Sequence, residues 1–101
     1  MPAAAPEFRV VYSGQIKEKL KALLRKAKKA GKLNRFVTAV VTMDERLRKD
    51  PMSFGELIGT LPWLKLPLHV GFVRPLKVDF AVHEAEKLVF IRKIEAVTSF
   101  P

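Results

Sequence analysis

The spacing of apolar residues changes period once along the chain, from between three and four to two near residue 64. Near the N-terminus Phe8, Val10 and Tyr12 alternate with Arg9, Val11 and Ser13, which predicts a short strand over residues 8–13. Apolar side chains occupy both parities, as in a central strand. Ile16, Leu20, Leu23, Leu24, Ala27 and Ala30 then recur at spacings of three and four, one stripe on a helix over residues 15–30. Ser13 is placed to cap that helix and Gly31 to end it. A second helix follows over 34–49, with Phe36, Val37, Val40, Met43 and Leu47 along one face. Its valines lower intrinsic propensity, so packing must hold it, and Asp50-Pro51 closes it. The two helices form an antiparallel hairpin.

Residues 51–64 read as a packed loop with one helical turn, because Gly55, Gly59 and Pro62 interrupt any longer element. Trp63 reads there as a plug at the edge of the core. Beyond it the period is two. Leu66, Leu68, Val70 and Phe72 alternate with Lys65, Pro67, His69 and Gly71. Leu76, Val78, Phe80 and Val82 alternate with Lys77, Asp79, Ala81 and His83, and a third run starts at Leu88. With turns at Arg74-Pro75 and Glu84–Lys87, this predicts an antiparallel meander over 65–73, 76–83 and 88–96, its apolar face covered by the helices. Pro67 marks an unpaired side or a bulge. The order strand, helix, helix, three strands predicts an α+β fold in two layers: an N-terminal helix hairpin packed on a four-stranded sheet. A two-helix crossover puts the first strand beside the last, in parallel. One domain over 8–97 is expected, with a loose arm over 1–7 and a short tail over 98–101.

Composition narrows the classes of function. The chain has 101 residues and no cysteine, so there is room for one core, and disulfides and cysteine-ligated zinc are excluded. No apolar run can span a bilayer and no leader-like segment opens the sequence, which favours a cytoplasmic location and no membrane partner. Net charge is +9, and it is localised: Lys17 to Arg35 holds nine basic residues and one acid, Glu18, while the rest holds ten and nine. Such a segment suits a polyanion or an acidic protein. Lys17, Lys21, Arg25, Lys28, Lys29, Lys32 and Arg35 are the candidate nucleic-acid-binding residues. Phe36 alone follows the run as an aromatic, so phosphate contact without base-specific reading is expected of this helix.

Element order and the basic helix together resemble the RelE/ParE superfamily of bacterial type II toxins. The similarity lies in Phe8-Arg9-Val10-Val11-Tyr12-Ser13, the helix hairpin, Asp50-Pro51, the paired-strand stretch from Gly71 to Val82, and Leu88-Val89-Phe90-Ile91-Arg92-Lys93-Ile94 as last strand. It implies the toxin component of a toxin–antitoxin pair. Such a toxin acts as a ribosome-dependent messenger RNA endoribonuclease or on DNA gyrase, and an antitoxin neutralises it; some relatives are inactive and only bind. In the family's ribonucleases the last strand ends in basic and aromatic residues. Arg92 and Lys93 match the basic part, the tyrosine that follows is absent, and Phe100 has no hydroxyl to replace it. Lys77 approximates the arginine of the preceding strand.

Cleaving a phosphodiester needs a base for the 2′-hydroxyl, an acid for the leaving oxygen and cations for the phosphorane. Histidine suits proton transfer near neutral pH, and arginine clamps phosphate with paired hydrogen bonds. Alternation puts Lys65, His69, Lys77 and His83 on the less apolar parity, hence on the exposed sheet face. The candidate catalytic set is therefore His69, Arg74, Lys77, His83, Arg92 and Lys93, with one of Arg92 and Lys93 facing the open side. The plainer alternatives are that both histidines are solvent-facing and that Lys77 pairs weakly with Asp79. Paired carboxylates, a His-x-x-x-His motif and a glycine-rich phosphate loop are all missing from the sequence, so no metal or other cofactor is expected.

Overall fold

The computed structural model describes residues 7–63 and 65–96. The expected arm, apart from Glu7, and the expected tail lie outside these residues. The elements are β1 (Arg9–Val11), α1 (Gly14–Lys29), α2 (Leu33–Lys49), α3 (Pro51–Phe54), β2 (Gly55–Leu61), β3 (Leu66–Val73), β4 (Leu76–His83) and β5 (Leu88–Ala96).

The helix ends follow from the residues that punctuate them. The Ile16 amide donates to Ser13 Oγ at 3.2 Å, satisfying one of the free donors that open α1. At its other end Gly31 has φ +71°, and the Gly31 and Lys32 amides donate back to the Lys28 and Ala27 carbonyls at 3.1 and 2.8 Å. That bond pattern needs a left-handed residue, which glycine supplies without cost from a side chain. Asp50 ends α2 and caps α3, where its Oδ1 accepts from the Ser53 amide at 3.3 Å.

The sheet has the order β1-β5-β4-β3-β2, with β1 parallel to β5 and every other pair antiparallel. The parallel neighbour is the one expected from the two-helix crossover. β1 is nonetheless an edge strand, not a central one, and Val11 is exposed. A fifth strand, β2, lies where a loop was expected after the single turn of α3. Gly55 and Gly71 face each other across β2 and β3. A Cβ on Gly55 would stand 2.8 Å from the Phe80 ring, and one on Gly71 would stand 2.5 Å from the Phe54 ring. These glycines mark close approaches of aromatic rings to a strand pair.

Register assigns the two faces, since directly paired residues share a side. The rows Val73, Leu76, Ala96; Gly71, Val78, Ile94; His69, Phe80, Ile91; and Val82, Val89 face the helices. They form the main core with Phe8, Val10, Ile16, Leu23, Ala27, Phe36, Ala39, Met43 and Leu47. Leu66, Leu68, Val70 and Phe72, the expected core parity of β3, lie on the opposite side. That face is not bare. Ala81 and Leu61 are buried at 0% and 5% exposure although their rows point away from the helices. Ala81 stands in one row with Leu68 and Phe90, both half-buried.

A polar network ties β1 to α2. The Tyr12 hydroxyl donates to Asp44 Oδ1 at 2.6 Å, and Arg48 Nε donates to Asp44 Oδ2 at 2.7 Å. Burial and the adjacent carboxylate push the Tyr12 phenol well above its ordinary value. Asp44 raises the Arg48 guanidinium as well.

Candidate functional site

The basic run occupies α1, the turn after it and the first residues of α2. Lys17, Lys21, Arg25, Lys28, Lys29 and Arg35 are exposed and Lys32 is half-buried. Among the described residues, the run contains one ion pair, Lys21 to Glu18 at 3.5 Å. Charge on this hairpin is thus left to solvent and partners. Around the turn, Lys28, Gly31, Lys32, Leu33, Asn34 and Arg35 line an open hollow of about 550 Å³. The N-terminus of α2 has no acid in its first turn and no side-chain cap, so its free amides add to the positive potential.

Between the outer faces of the helices runs an apolar groove of about 210 Å³, lined by Leu20, Lys21, Leu24, Phe36, Val37, Val40 and Val41. Leu24 and Val37 were expected on the core stripes, yet they are 39% and 44% exposed. Each helix meets the sheet along a stripe narrower than its apolar face, and the surplus forms the groove walls.

The sheet-face constellation is split. His69 is not exposed: it is 3% exposed, on the helix-facing side, stacked on Phe80 at 5.5 Å between centroids. Phe54 stacks on Phe80 at 5.8 Å, and the Arg46 guanidinium lies 5.3 Å over Phe54. His69 Nδ1 is buried with no partner in the protein. Burial holds its pKa below the ordinary value. His69 is thereby excluded from the exposed set, because the pairing of β3 with β4 places it opposite Phe80.

His83 is half-exposed, six residues along β4 from Lys77, about 20 Å for an extended strand. Its Nδ1 accepts from the Glu86 amide at 3.2 Å, so it braces a turn. At the other end of β4, Lys77 and Lys93 share Glu95, with Nζ to Oε1 distances of 3.6 and 3.9 Å. Lys93 stands opposite Asp79, and Lys77 pairs with Glu95 instead of Asp79. Arg74 is exposed in the β3–β4 turn, before a cis Pro75.

A bulge removes the choice between Arg92 and Lys93, of which only one was expected on the open side. Asp79 pairs with Lys93 and Phe80 with Ile91, which leaves Arg92 as the added residue. Both cations are exposed. The Arg92 guanidinium lies 5.9 Å from the Trp63 ring centroid. Trp63 is therefore no core plug; it is 70% exposed. The signal for this was available in the sequence, where Pro62 and Lys65 flank it in a short turn between strands.

Among the described residues no cluster of three His, Asp or Glu side chains is placed to hold a metal ion. No described helix is long and apolar enough to cross a membrane. The helix-hairpin and sheet topology resembles the RelE/ParE-like fold. Compared with family models, curated proteins and solved structures, the chain matches none of them.

Proposed function

We propose that the protein is the toxin component of a type II toxin–antitoxin pair, of the RelE/ParE type, and that it engages RNA on the translating ribosome through its helix hairpin. The observation that carries this reading is unneutralised charge: nine basic residues from Lys17 to Arg35 against Glu18 alone, with one ion pair among the described residues. A surface of that kind binds phosphates without regard to sequence and loses affinity with salt. The apolar groove beside it, with Lys21 at its wall, suits an antitoxin segment that is both apolar and acidic. Cleavage of the message, the activity implied by the resemblance, falls in this reading to Lys77, Arg92 and Lys93, with Arg74 assisting and His83 as the remaining proton carrier.

A specific observation favours the second form of the proposal, a toxin-fold protein that binds without cutting. His69 is buried and His83 lies about 20 Å from Lys77, so neither histidine stands beside the cations. Cleavage of ribosome-bound message by wild type and by Lys77→Ala, His83→Ala, Arg92→Ala and Lys93→Ala separates the forms. A nuclease loses about 30- to 1,000-fold at one or more cations. A binding protein leaves the message intact while still associating with ribosomes. Inhibition of DNA supercoiling by the same preparation, without ribosome association, would replace RNA by gyrase as the target.

A further inference from the structure

We infer that Trp63 and Arg92 form a stacking site for an unpaired nucleobase, so that single-stranded nucleic acid is read on the sheet face while the hairpin holds phosphates. The inference rests on the nucleic-acid reading above and adds a place and a mode of contact to it. Trp63 is the most exposed large apolar side chain among the described residues, at 70%. Its turn is closed by a hydrogen bond, the Lys65 amide donating to the Leu61 carbonyl at 2.7 Å, and the Leu61 side chain is buried. The Arg92 contact joins that turn to β5, although β4 lies between β3 and β5, so the turn bends across the sheet.

A guanidinium over an indole and an open ring make a platform with a positive rim. An apolar protein segment would gain from the ring and lose from the adjacent charge; a base on a phosphate backbone gains from both. The surroundings continue the pattern. Lys65 is exposed in the same turn, and Lys93, next to Arg92, is 64% exposed and shares the single carboxylate of Glu95 with Lys77. Phe72, 57% exposed, faces the same side in the row of Lys77. Aromatic rings separated by cations are the arrangement that tracks a single strand. The helix hairpin offers no such rings, and it covers the opposite face of the sheet.

Trp63 is the one tryptophan of the chain, so its fluorescence reports on this site alone. The test is a titration of the whole protein with a short oligouridylate, its deoxy counterpart, an abasic strand of equal length and a duplex. Both single strands should quench Trp63 saturably, while the abasic strand and the duplex bind with little quenching. A stronger response to the ribose strand would identify RNA as the source, an equal one single strands generally. Trp63→Ala should weaken oligouridylate binding about tenfold, read by anisotropy of a labelled strand, and Trp63→Phe should restore most of it. Equal quenching by the abasic strand, or affinity unchanged in Trp63→Ala, would overturn the inference and leave the hairpin reading standing. Saturable, base-dependent quenching in a protein that ignores ribosomes would uphold it and remove the toxin assignment.

Discussion

Burial of the His69 ring should make the stability of the fold depend on pH. Its ring is stacked on Phe80 and enclosed, and burial lowers its pKa from the ordinary 6.5. The unfolded chain then binds a proton more readily than the folded one. Stability from neutral His69 is full above pH 6.5 and declines as the pH falls below that value towards the depressed folded one. Denaturant midpoints across that range should drop in wild type and stay flatter in His69→Phe, which keeps the stack. Gly71 is the other residue on which the stack depends. In Gly71→Ala the added methyl meets Phe54, which is held between Phe80 and Arg46, and should cost about 1–3 kcal/mol by urea unfolding. The outward reading of His69 came from comparing parities in β3, where Leu66, Leu68, Val70 and Phe72 look more apolar than Lys65, Pro67, His69 and Gly71. On the side away from the helices Leu66, Leu68 and Val70 are half-buried as well, so hydrophobicity could not choose between the two faces. Gly71, which admits Phe54, was the residue that marked the helix side.

At the level of elements, three short signals were enough to define the helices: Ser13 before α1, Gly31 after it, and Asp50-Pro51 at the end of α2. Each acts on backbone hydrogen bonds within a few residues, which is why sequence exposes it. β2 was hidden because Gly55 and Gly59 resemble loop residues, whereas Gly55 is small to admit Phe80 from a strand two positions away in the sheet. β1 is held at its edge position by long-range bonds: Phe8 N to the Arg48 carbonyl at 2.8 Å, and Tyr12 to Asp44. Tyr12→Phe should cost about 1–2 kcal/mol, since it removes a hydrogen bond to a charged, partly buried carboxylate. The raised phenol adds a second readout. Its contribution is intact below pH 10 and is lost as pH rises above that, because the unfolded chain ionises first. The alkaline decline in thermal midpoint should therefore be shallower in Tyr12→Phe.

For the molecule as a whole, the helix-covered sheet separates two surfaces, a basic hairpin outside and an aromatic and cationic sheet face behind. The first was legible from charge counting alone, because nine cations with one acid cannot be paired locally. The second required the bulge at Arg92 and the bend of the β2–β3 turn, both products of pairing between distant segments. The central claim is that the hairpin binds RNA through phosphates. Its most direct measurement is the affinity for a labelled RNA at two salt concentrations, in wild type and in a triple variant with Lys21→Glu, Lys28→Glu and Arg35→Glu. All three side chains are exposed. A glutamate at position 35 favours the start of α2 while one at 28 disfavours the end of α1, so the unfolding midpoint should hold. Wild-type affinity should fall steeply with salt. The variant should bind at least about tenfold more weakly, and its log–log salt slope should be shallower by about two, at roughly 0.7 per lost contact to a single strand. Affinity that responds to neither the salt nor the charge reversal would contradict the account.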